Sequence, residues 1–179
     1  MRKDLIHRVM WDQVYSKDAY LYGTSLVFGE EGTVFENQRM ASGKLICRFD
    51  SATNYQVKRA SPSLPLLVPG HSYWLEIAID AEPQGCFFLE VTYFNRQEEQ
   101  LGFEVLRQHQ GTITYPAEAF RYTLTVKSAG ASRLVVKGIS IYTQETVTSF
   151  GLDKPLEKRY LAEELPADLY LVQNLIKTR

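Results

Sequence analysis

Three histidines, His7, His71 and His109, and two cysteines, Cys47 and Cys86, are the side chains of this sequence best suited to proton transfer, nucleophilic attack or metal binding. Nucleophilic catalysis needs a base within hydrogen-bond reach of a Ser, Cys or Thr, and a third group that orients the base. None of the histidines lies in a motif of that kind. His71 follows Pro69-Gly70 at the entrance to a strand and His109 lies between Gln108 and Gln110 in a polar connection, so both read as loop histidines. The cysteines are too few for a disulfide scaffold and are not spaced as a metal clip or a C-x-x-C redox pair; each reads as a buried thiol. Glu98 and Glu99 are neighbours, and neighbouring residues of a strand or turn point opposite ways, which suits a solvated turn better than an acid and base pair. No Gly-x-Ser-x-Gly elbow or His-Glu-x-x-His helix occurs, and Gly43-Lys44 lacks both the earlier glycine and the following hydroxyl of a phosphate-binding loop. The residues nominate no catalytic group, no metal ligand and no cofactor.

The informative side chains are aromatic. Trp74, Phe88 and Phe94 fall on the parity opposite the core-like residues of two strands expected to be neighbours, interleaved with Glu76, Glu90 and Thr92. Flat rings beside carboxylates and hydroxyls suit a sugar, whose CH face stacks while its hydroxyls find partners, and Asn95 and Arg96 in the following turn extend the same face toward a glycan or a protein. The competing reading is structural: a second sheet, or helices from the C-terminal end, would bury the rings.

Strands must position these residues. From about residue 20 to 143 apolar and polar residues alternate with the period of half-buried strands. Tyr73, Leu75, Ile77 and Ile79 share one face; Phe87, Leu89, Val91 and Tyr93 share another. The turn Asn95 to Glu99 leads to Leu101, Phe103 and Val105, which read as resuming the inward set of a hairpin. Tyr122, Leu124 and Val126 form a further strand, ended by the small residues Ser128 to Ser132. In the run Arg133 to Tyr142, Leu134 and Val136 are out of parity with Ile139 and Ile141, and a bulge at Lys137-Gly138 reconciles them. Leu21 to Phe28, Thr33 to Asn37 and Lys44 to Phe49 are shorter candidates, while the prolines of Ser61 to Gly70 make that stretch an extended crossover or edge. Short strands with Gly, Pro and Ser punctuation indicate an all-β, antiparallel sandwich over residues 1–148. After Gly151 the period changes, and two short amphipathic helices, about 153–165 and 167–177, form an extension over 149–179 whose apolar stripes need cover from the sandwich or from a partner.

Bulk properties narrow the function classes. The 179 residues carry 20 Lys plus Arg against 21 Asp plus Glu, so there is no basic excess for a nucleic acid backbone. No run is long and apolar enough for a transmembrane segment, and Asp4, His7 and Arg8 interrupt what a signal peptide would keep apolar, so the cytoplasm is the expected compartment.

Asn54-Tyr55-Gln56, Pro62-Ser63-Leu64-Pro65-Leu66-Leu67 with Gly70 and Tyr73, Tyr93-Phe94-Asn95-Arg96-Gln97 with Gly102-Phe103, and the approach from Pro116 to Tyr122 together resemble the third accessory secretory protein family of the accessory Sec system of Gram-positive bacteria. The resemblance covers roughly residues 20–142 and leaves out the C-terminal helices. It implies a jelly-roll sandwich like that of a carbohydrate-binding module. It also implies a non-enzymatic cytoplasmic adaptor, at most peripheral to the translocon at the inner face of the membrane. The implied partners are the first and second accessory secretory proteins and an accessory SecA motor, and the implied cargo is a serine-rich repeat glycoprotein adhesin. The resemblance carries over no ligand residue; a soluble carbohydrate-binding module remains the alternative.

Overall fold

The computed structural model describes residues 4–143. Ten strands follow in order: β1 (Leu5–Val9), β2 (Ser25–Gly29), β3 (Gly32–Glu36), β4 (Leu45–Asp50), β5 (Ser72–Glu82), β6 (Phe87–Phe94), β7 (Gln100–Leu106), β8 (Gln110–Thr114), β9 (Arg121–Ser128) and β10 (Arg133–Thr143). A single helical turn, α1 (Tyr55–Lys58), stands between β4 and β5. All pairings are antiparallel. One sheet runs β2-β3-β10-β5-β8, with β1 also on β10, and the other runs β4-β9-β6-β7.

Alternation explains the layers. The inward residues of β5 (Tyr73, Leu75, Ile77, Ile79), β6 (Phe87, Leu89, Val91, Tyr93) and β9 (Tyr122, Leu124, Val126) are all buried in one apolar cluster. Each such side chain removed from water contributes roughly 1.5–3 kcal/mol before the entropy of ordering it is counted. Buried tyrosines turn this core into a latch for the crossover. Tyr93, Tyr115 and Tyr122 meet edge to face, with centroids 5.9 and 5.6 Å apart. Tyr122 donates to the Pro65 carbonyl at 2.9 Å, and Tyr73 accepts from the Val68 N–H at 2.8 Å. The proline-rich stretch is therefore an extended crossover, as its missing donors require, anchored by buried Leu64 and Leu67.

The bulge foreseen at Lys137-Gly138 is present: the register of β10 on β5 shifts between Val136 and Gly138. It lets one edge of β10 serve two strands, β3 along Arg133 to Val136 and β1 along Ile139 to Tyr142, while β5 follows the other edge from end to end. Gly138 has φ +138°, and a Cβ there would stand 3.0 Å from the Val9 carbonyl oxygen and 3.0 Å from Arg8 Nε. Close approach of β1 depends on that missing atom.

Several expectations need correction. β6 and β7 form the expected hairpin, but Leu101, Phe103 and Val105 face outward and are exposed. Tyr93 pairs with Gly102 and Val91 with Glu104, with a register shift between Tyr93 and Phe94, so Glu104 takes the inward parity and accepts the Tyr93 hydroxyl at 2.6 Å. The apolar residues of an edge strand need not share the core's parity when a buried phenol needs an acceptor. Cys86 is only partly buried, unlike Cys47. β1, β8 and α1 have no counterpart in the sequence reading. The two C-terminal helices and the boundary at 148/149 lie outside the described residues.

Candidate binding face

The outer face of the four-stranded sheet carries a broad concave surface. On β9 the outward set is Arg121, Thr123, Thr125 and Lys127; β6 adds Glu90, Thr92 and Phe94, which pair across from Thr125, Thr123 and Arg121. Arg48 and Asp50 of β4 continue the floor, and the segment 52–57 with α1 forms a wall, so the whole makes an open groove of about 1280 Å³.

Its charges are matched within the protein. Lys127 Nζ lies 2.7 Å from Glu90, Arg121 spans Asp50 at 3.2 Å and Glu98, and Arg48 is 2.8 Å from Asp18. Among the described residues three cations and three anions line the groove, Arg48, Arg121 and Lys127 against Asp50, Glu90 and Glu98, so these side chains balance in formal charge. The Arg121 guanidinium lies 4.1 Å from the Phe94 ring centroid and covers one face of that ring.

The residues singled out from the sequence do not form one surface. Trp74 belongs to β5 in the six-stranded sheet, whereas Phe88 and Phe94 belong to β6 in the other, and both sets point away from the core. Successive strands here cross between sheets, which alternation alone does not reveal. Phe94 lines the groove; Phe88 lies on the same side of β6 but outside the lining. Asn95 is occupied by its own turn, accepting from the Gln97 and Glu99 N–H groups at 2.9 Å and donating to Glu99 at 2.7 Å. Arg96 lies 5.3 Å from the Phe120 ring centroid, where both line a separate, smaller cleft. The residues the sequence reading missed, Arg48, Asp50 and the outward residues of β9, carry a signal after the fact: strictly alternating Arg, Thr, Thr and Lys on a strand whose other face runs Tyr122, Leu124, Val126 and Ser128.

Two of the histidines hold the framework. His7 Nε2 is 3.0 Å from the Ser63 carbonyl oxygen, and His109 Nδ1 is 3.2 Å from that of Ile77, with its ring edge-on to Phe87. Burial pushes the Cys47 thiol far above its ordinary range, which leaves it protonated and unreactive. Among the described residues no group of three His, Cys, Asp or Glu is placed to hold a metal ion, and no helix is long and apolar enough to cross a membrane.

Residues 19–143, which contain both sheets except β1, match the family of the third accessory secretory protein (ASP) of the accessory Sec secretory system. The chain belongs to this family. The protein of that name from the accessory Sec system of Streptococcus gordonii is 40% identical over 112 residues, covering 62% of this chain and 70% of that relative. The Staphylococcus aureus (strain NCTC 8325 / PS 47) protein of the same name is 28% identical over 164 residues; the match takes in 86% of this chain but only 51% of the relative. In solved structures, a chain of the complex of accessory secretory proteins 1, 2 and 3 from Streptococcus pneumoniae superposes with a TM-score of 0.73 at 27% identity, over 77% of this chain and 96% of that one. A Clostridium thermocellum xylanase structure containing a CBM22 module superposes with a TM-score of 0.52 at 14% identity, over 81% of this chain and 29% of that one, a likeness of fold. The all-β sandwich expected from alternation and the accessory Sec adaptor role expected from the resemblance both stand with this member of the family.

Proposed function

We propose that this protein is a non-enzymatic adaptor that binds the first and second accessory secretory proteins in the cytoplasm. There it supports export of a serine-rich repeat glycoprotein adhesin by the accessory SecA motor, at the inner face of the membrane. The observation that carries the reading is the match of 77% of this chain to a chain of the solved structure of accessory secretory proteins 1, 2 and 3. The use of His7 and His109 on backbone carbonyls supports an adaptor without chemistry of its own. Co-expression with the two sister proteins tests it: the three are expected to elute together in gel filtration, and three folded proteins eluting apart would overturn it.

The groove favours a second reading, in which the same adaptor holds a ligand. A lining of threonines, amides and mutually neutralised charges matches an uncharged, hydroxyl-rich chain such as a neutral glycan. Calorimetric titration with neutral oligosaccharides should give binding that Thr123→Val weakens; heat no different from buffer at millimolar sugar would count against it.

A further inference from the structure

The edges of the two sheets are not treated alike. A free edge strand presents unpaired N–H and C=O groups to any other chain, and folded proteins guard such edges with cover, charge or bulges. β4 is covered: Tyr20 N–H donates to the Ile46 carbonyl at 3.1 Å, and Arg48 N–H to that of Asp18 at 2.8 Å. β7 and β8 are joined through the inward-turned Glu104, which accepts the Thr114 N–H at 3.2 Å. β1 carries Arg8 and is tied by His7 to Ser63. β2 has no such device among the described residues. Its sequence, Ser25-Leu26-Val27-Phe28-Gly29, holds no charge and no proline, and among the described strands it pairs only with β3. Val27 on the outer side is 58% exposed, and Phe28, on the core side of the strand, is 50% exposed.

The hairpin geometry says which groups are free. Gly29 pairs with Gly32 across the two-residue turn Glu30-Glu31, so Ser25, Val27 and Gly29 hydrogen-bond to β3. The N–H and C=O groups of Leu26 and Phe28 point away from the sheet. Beside them the turn places two exposed carboxylates, Glu30 and Glu31, neither of them in a salt bridge among the described residues.

We propose that β2 is a docking edge that accepts one extended segment of a partner protein as an added strand. The segment has apolar residues on alternate positions, to lie beside Val27 and Phe28, and a Lys or Arg at the end that meets Glu30 and Glu31. A strand of this length spans only about 17 Å at ~3.4 Å per residue. Pairing along it falls well short of the ~1,600 Å² typical of a stable interface, so the segment belongs to a folded partner that touches the sandwich elsewhere as well. This inference rests on the adaptor reading and names the edge that the adaptor uses.

The test measures hydrogen exchange of the full-length protein, alone and after mixing with the two sister accessory proteins. Amides of Leu26 and Phe28 are expected to exchange rapidly alone and at least tenfold more slowly in the complex; unchanged exchange there in a formed complex overturns the inference while leaving the adaptor reading intact. No complex at all would instead overturn the adaptor reading. Phe28→Pro removes an outward N–H while leaving the β3 ladder in place, and should weaken association at least tenfold with an unchanged circular dichroism spectrum. Glu30→Lys with Glu31→Lys, on the exposed turn, should weaken it severalfold and lower its salt dependence. A folded variant pair that binds as the wild type does, or a wild-type protein that dimerises through β2 and is made monomeric by Phe28→Pro with partner binding retained, would refute the proposal.

Discussion

Replacing Arg121 by Met isolates the electrostatic construction of the groove. The methionine keeps the apolar stem but removes the guanidinium that holds Asp50 at 3.2 Å, reaches Glu98 and covers Phe94 at 4.1 Å. The side chain of Asp50 is 6% exposed and that of Arg121 16%, so the substitution takes a close cation from a carboxylate with little access to water. Breaking a buried pair on one side costs about 3–5 kcal/mol, and the residual exposure of Arg121 places this case near 3. Glu98 is 63% exposed and adds at most about 1 kcal/mol. A loss of about 3 kcal/mol corresponds to a fall in melting temperature of roughly 6–12 °C for a domain of this size. Urea unfolding followed by tyrosine and tryptophan fluorescence should show a lower midpoint with an unchanged slope. Adding Asp50→Asn removes the buried carboxylate charge that Arg121 faces and should return more than about 1 kcal/mol, a coupling that independent sites would not show. A single substitution costing under about 1 kcal/mol, or a double variant no more stable than Arg121→Met, would refute the argument that this pair is buried and coupled.

Gly138→Ala should destabilise by about 1–3 kcal/mol, because φ +138° and two contacts at 3.0 Å both resist a Cβ; hydrogen exchange should quicken first in Leu5–Val9, and unchanged stability would sink this account of the bulge. Burial raises the phenols of Tyr93, Tyr115 and Tyr122 above their ordinary value of 10, with the Glu104 hydrogen bond adding to the first. Above pH 10 the unfolded chain releases these protons while the folded one keeps them, so stability is full below that pH and falls as pH rises beyond it. Absorbance titration should accordingly show part of the tyrosine ionisation delayed until the protein unfolds; all 11 tyrosines titrating together in the folded state would contradict it.

Alternation made the layers legible before the strands were paired. Tyr73 to Ile79 and Phe87 to Tyr93 are buried with the parity that their spacing requires, and the phase break in Arg133 to Tyr142 located a bulge to the residue. What the spacing cannot carry is which sheet a strand joins. Trp74 and Phe88 have equivalent local patterns yet lie on opposite outer faces, because β5 pairs with β10 and β8 while β6 pairs with β9 and β7. Parity also misleads at an edge, where Phe103 is exposed while Glu104 is only partly so and gives its carboxylate to Tyr93 and Thr114. β8 went unread because only Ile113 of its five residues is buried. The groove was half visible: Phe94 was found, but its floor required knowing that β9 lies between β4 and β6.

β10 occupies the middle of its sheet and is the last strand in the order of synthesis among those described. The four-stranded sheet has all its members once residue 128 has left the ribosome, but the other lacks the strand that joins β3, β5 and β1 until residue 143 follows. A nascent chain halted near residue 130 would carry one sheet whose apolar side has no lid. Birth of the folded sandwich is therefore set by its final stretch, and polypeptides cut short ahead of it should be substrates for chaperones and proteases rather than weakened adaptors.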